Sequence, residues 1–77
     1  MEKKQFTWGE TIRVKSEAPE SYRPNKLAEV CSLWKIETEE NSLARGEPMG
    51  SIIYSVEFGD GTLMEIPERY LETYVEK

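Results

Sequence analysis

Ser51-Ile52-Ile53-Tyr54-Ser55-Val56-Glu57-Phe58-Gly59-Asp60-Gly61-Thr62-Leu63-Met64-Glu65-Ile66-Pro67 decides the fold class of this chain. Ile52, Tyr54, Val56 and Phe58 alternate with Ile53, Ser55 and Glu57, the period-two pattern of a strand that buries one face. Gly59-Asp60-Gly61 offers positive-φ positions for a tight turn, after which Thr62, Met64 and Ile66 resume the alternation. The spacing predicts an antiparallel hairpin in a small all-β domain. Glu57 and Glu65 fall on its outward positions, where carboxylates are normally solvated.

Outward from the hairpin, Trp8-Gly9-Glu10 reads as a turn leading into a first strand, Thr11 to Lys15, with Ile12 and Val14 facing inward. Pro19 and Pro24 then break the pattern, so residues 16–26 form a loop. A second strand is predicted from Leu27 to Glu37. Val30, Ser32, Trp34 and Ile36 would share one face, and Cys31, Leu33 and Lys35 the other. Apolar residues on both faces imply a long, bent strand that buries each face in a different place. Residues 38–46 read as a loop with a short helical turn, capped by Thr38 and stopped by Gly46.

Pro67-Glu68-Arg69-Tyr70 predicts a 3₁₀ turn before a last strand from Tyr70 to Val75. Residues 1–6 read as a flexible N-terminal tail on a single domain spanning 1–77. Five strands in this order, with a long first loop, predict a small SH3-like barrel, because closing the sheet removes its unpaired edges.

The 77 residues carry ten basic and fifteen acidic side chains, no histidine and one cysteine, Cys31. A chain this short hides only about 60% of the surface its unfolded form exposes, so its core must be compact. The absence of histidine excludes Ser-His-Asp and Cys-His catalysis, and one thiol excludes a disulfide or a cysteine-rich metal framework. Cys31 reads as a small apolar side chain within a strand. Gly59-Asp60-Gly61 is a turn signal and matches no phosphate-binding loop. No cofactor or metal is implied, and the chain is not expected to be an enzyme.

The net charge of −5 is unevenly placed. Residues 1–36 carry seven basic and five acidic side chains, and residues 37–77 carry three and ten. The acidic half is either a solvated surface or a docking face for a basic partner. Binding to a nucleic-acid backbone needs clustered cations and is not expected. With neither a secretion signal nor a membrane-length apolar run, the expected location is the cytoplasm.

Trp8-Gly9-Glu10-x-Ile12-Arg13-Val14, Tyr22-Arg23-Pro24, Ile53-Tyr54-Ser55-Val56-Glu57-Phe58 and Tyr70-Leu71-Glu72 together resemble the SH3-like barrel of the nitrile hydratase β subunit. That barrel opens on Gly-Asp-x-Val-Arg-Val, continues through an Arg-x-Pro loop and a Leu-Tyr-x-Val-x-Phe strand, and closes on Tyr-Leu-Glu. The resemblance implies the barrel rather than the enzyme, whose metal is held by the other subunit. The family's helical region has no counterpart here, nor has the Trp-Gly element expected after the fifth-from-last strand segment. Small bacterial proteins with such barrels include accessory subunits and immunity proteins that neutralise toxins.

Binding is therefore the expected activity. Tyr22 and Arg23 sit between Pro19 and Pro24, where the prolines would hold two favoured interface residues outward. Trp8, Tyr22, Arg23 and Pro24 form the candidate protein-binding set. Trp34 is expected in the core. Trp8 could either join the binding surface or cover the open end of the barrel. Two alternatives stay open: a nucleic-acid accessory barrel using Arg13, Lys15, Arg23, Lys26 and Lys35, and an accessory subunit of a nitrile hydratase-type enzyme.

Overall fold

The computed structural model describes residues 6–74. Five strands, β1 (Thr11–Val14), β2 (Leu27–Lys35), β3 (Ile52–Phe58), β4 (Leu63–Pro67) and β5 (Leu71–Thr73), form one sheet in the order β4-β3-β2-β1-β5. Every pairing is antiparallel. The pairing stops short of a closed barrel: β4 and β5 are the two edges. β5 has three residues, and all three pair with β1.

The central hairpin forms as predicted, with Val56 opposite Met64 and Tyr54 opposite Ile66. Only Gly61, at φ +88°, uses the left-handed region; Gly59 does not. The Gly61 amide donates to the Phe58 carbonyl at 2.9 Å, and the Phe58 amide donates to the Thr62 carbonyl at 2.9 Å. This is a three-residue connection, in which one glycine after the turn restores the strand direction.

β2 begins where predicted and ends two residues early, at Lys35. Its register shifts between Val30, opposite Val56, and Ser32, opposite Ser55, leaving Cys31 as the extra residue of a bulge. A bulge exchanges the two faces of a strand from that point on. Val30 therefore lies in the core, whereas Trp34 lies opposite Ile53 on the outer face. The predicted shared face of Val30, Ser32, Trp34 and Ile36 does not survive the bulge. Trp34, expected in the core, is instead half-buried under the Arg45 guanidinium, 5.2 Å from its ring. Ile53, expected to face water, is buried between Trp34 and Pro67.

Residues 38–46 hold more than one turn. Helix α1 spans Glu39–Arg45, with the Thr38 hydroxyl accepting from the Asn41 amide at 3.1 Å and Gly46 ending it at φ 70°. None of its residues is buried. Arg45 ties it to the sheet through an ion pair with Glu65 and the contact with Trp34. The predicted 3₁₀ turn spans Glu68–Tyr70, and another occupies Glu20–Tyr22. The last strand is shorter than predicted, because Tyr70 belongs to the turn; Val75 lies outside the described residues.

Ile12, Val14, Ala28, Val30, Tyr54, Val56, Phe58, Ile66 and Leu71 form the core, joined by Ala18 and Phe6. Phe6 corrects the expected tail at 1–6: its ring meets Tyr54 edge-on at 5.3 Å, and its amide donates to the Tyr54 hydroxyl at 3.1 Å. Residues 1–5 lie outside the described residues. The Tyr54 hydroxyl in turn donates to Glu68 at 2.8 Å, so this fully buried ring leaves no polar atom unsatisfied. Burial, and then the Glu68 carboxylate, hold the Tyr54 hydroxyl well above the ordinary tyrosine pKa. Among the described residues no helix is long and apolar enough to cross a membrane.

Candidate functional site

Trp8 occupies a tight turn that the rest of the chain holds in place. The Glu10 amide donates to the Thr7 carbonyl at 3.0 Å, and the Glu10 carboxylate accepts from the Thr7 amide at 3.0 Å. Gly9, at φ +84°, provides the positive-φ position, and its amide donates to the Val30 carbonyl at 2.8 Å. The Val30 amide donates back to the Glu10 carbonyl at 3.0 Å. Four hydrogen bonds thus fix a turn whose tryptophan is 78% exposed. Trp8 does not cover the end of the sheet; it projects into solvent.

Tyr22, Arg23 and Pro24 are built differently. All three are half-buried. The Tyr22 ring tilts against Tyr70 at 5.6 Å. Arg23 lies in the left-handed region at φ 62°, a conformation that costs a non-glycine residue energy unless its surroundings compensate. The compensation is visible. Its guanidinium contacts both Asp60 oxygens at 3.1 and 3.2 Å, donates to the Thr62 hydroxyl at 3.3 Å, and lies 5.0 Å from the centre of the Phe58 ring. The Thr62 amide and hydroxyl, then Arg23, hold the Asp60 carboxyl below its ordinary pKa.

Arg23 therefore clamps the 16–26 loop to the hairpin tip. Between the two lies a shallow groove of about 510 Å³, lined by Glu20, Arg23, Pro24, Lys26, Leu27 and Phe58. Arg23 and Pro24 line this groove; neither Tyr22, which packs against Tyr70, nor Trp8 is among its lining residues. The Trp8 turn is fastened to Val30 instead.

Three features escape a reading of the chain alone. The partners of Arg23, Asp60 and Thr62, lie 37 and 39 residues away. Glu47 is buried, at 6% exposed, and pairs with Arg69 through bonds of 3.0 and 2.8 Å. Glu29 lies directly opposite Glu57 across β2 and β3. Only the last had a signal in the sequence: aligning Val30 with Val56 as core residues puts their acidic neighbours side by side.

Two further ion pairs lie on the surface. Arg13 bonds Glu72 at 2.7 Å, and Arg45 pairs with Glu65. Among the described residues no three His, Cys, Asp or Glu side chains are grouped to hold a metal ion. No protein-family model, curated protein or solved structure matches this chain.

Proposed function

We propose that this chain is a non-catalytic protein-binding module built as an SH3-like barrel, serving as an accessory or toxin-neutralising protein, with Trp8 as its anchor. The observation that carries the reading is a large aromatic side chain, 78% exposed, on a turn fixed by four hydrogen bonds. Leaving a tryptophan in water forgoes most of its burial energy. Fixing the turn that carries it removes the backbone part of the entropic cost of using it as a contact. Tryptophan in this position is among the commonest interface hot spots. The sheet order β4-β3-β2-β1-β5 and the bulged β2 support the barrel, as does the resemblance to the nitrile hydratase β-subunit barrel.

Tyr22, Arg23 and Pro24 have a secondary part in this reading. With its guanidinium engaged by Asp60 and Thr62, Arg23 shapes the groove wall instead of offering a free cation. The same fact weakens the nucleic-acid alternative, since Arg13 and Arg23, two of its five cations, are held in ion pairs.

Quantitative mass spectrometry of proteins retained by the immobilised chain and by its Trp8→Ala variant tests the proposal. At least one protein should be retained by the parent and lost, by tenfold or more on a hot-spot scale of about 2 kcal/mol, from a variant that melts at the parent's temperature. Identical retention by both baits would refute Trp8 as the anchor.

A further inference from the structure

We propose that the outer face of the sheet beside Trp8 docks a cationic segment of a protein partner, with Glu29 and Glu57 receiving its lysine or arginine side chains. This deepens the protein-binding reading and rests on it. The registers place Thr11, Glu29, Glu57 and Leu63 in one cross-strand row over β1, β2, β3 and β4. Glu29 and Glu57 are exposed and directly opposed, which brings their Cβ atoms to about 5 Å. Like charges in that position repel.

Nothing nearby relieves them: among the described residues neither carboxylate has an ion pair or a hydrogen bond. Arg13 and Arg23 are engaged elsewhere, by Glu72 and by Asp60. A shallow trough of about 340 Å³ runs along Thr11, Leu27, Glu29 and Glu57. Leu27 and Leu63, 41% and 64% exposed, give apolar footing for the stems of long basic side chains. The Glu29 carboxylate also reaches the Trp8 turn, where its Oε2 lies 4.0 Å from the point a Cβ on Gly9 would occupy. Two opposed, unneutralised carboxylates, one of them beside the turn that carries the exposed Trp8, thus present a site that a cation neutralises. The second half's net charge, three basic against ten acidic side chains, adds long-range attraction of the same sign.

The test titrates the ¹⁵N-labelled full chain with a short peptide of alternating lysine and glycine, and with its glutamate counterpart, at low and at physiological salt. The basic peptide should shift the Trp8 indole and the amides of Thr11, Glu29, Glu57 and Leu63, more weakly at higher salt, and the acidic one should not. Glu29→Gln with Glu57→Gln should weaken that binding by about tenfold, two exposed pairs together. It should also raise the melting temperature by about 2–5 °C by removing the repulsion. Shifts centred elsewhere, binding unchanged in the double variant, or a lower melting temperature would each overturn the inference. If Trp8→Ala still abolishes partner capture in that event, the protein-binding reading stands without it; if capture survives too, both fall.

Discussion

Replacing Val56 with aspartate is expected to leave the chain unfolded. Val56 has no exposed surface and lies between Val30 and Met64 on the inner face of the sheet. A carboxylate there gains neither water nor a partner, and a buried, unpaired charge costs several kcal/mol even after relaxation. A domain of this size, whose single cysteine allows no internal disulfide, holds about 3–5 kcal/mol in total. The amide spectrum of the variant should collapse into the narrow range of an unfolded chain. A dispersed, native-like spectrum would mean that Val56 faces outward and the β3 register is off by one.

The second large effect concerns the buried ion pair. Glu47 follows the end of α1 in a segment held by the Ser42 hydroxyl, which donates to the Glu47 carbonyl at 2.6 Å. Its carboxylate is received in two bonds by Arg69, whose guanidinium also stacks 4.5 Å from the Tyr70 ring. The bond to Glu47 holds the Arg69 guanidinium above its ordinary pKa. Arg69→Ala removes the cation and leaves a buried carboxylate behind, whose stranding outweighs the worth of the pair itself. The expected loss is about 2–3 kcal/mol, below the figure for a fully buried pair because the Arg69 side chain is 59% exposed. Urea denaturation measures it. Combining Arg69→Met with Glu47→Gln should recover most of the loss, since no charge is then stranded. A loss under about 0.5 kcal/mol in Arg69→Ala, the range of ordinary surface changes, would show that Glu47 does not depend on Arg69.

How much of this was legible in the chain depends on the distance over which each feature is decided. The hairpin follows from alternation and a glycine turn, both local, and so do the Thr38 cap and the Gly46 stop of α1. The bulge at Cys31 is not local. Apolar residues on both faces of β2 signalled a bend, but only pairing with β3 shows where the register slips. That slip reverses the face of Trp34, whereas Ile53 keeps the outer face its alternation predicts and is buried there between Trp34 and Pro67. Phe6 was misread because its partner, Tyr54, lies 48 residues on.

The candidate site shows the same division. Trp8-Gly9-Glu10 announces a turn, yet whether the ring covers the sheet or leaves it is a tertiary question. Tyr22 and Arg23 have an interface composition, but the hairpin tip claims the guanidinium. Residue type indicated where contacts could form; the ion pairs decided which side chains were left over.

Hydrogen exchange on the chain alone and in complex with a protein captured by the parent but not by Trp8→Ala tests the proposed recognition surface. Binding should add protection to residues 7–10 and to the adjoining β2 and β3 segments around Glu29 and Glu57, while the 16–26 loop exchanges as before. Protection confined to that loop and the hairpin tip, with residues 7–10 unchanged, would contradict the account.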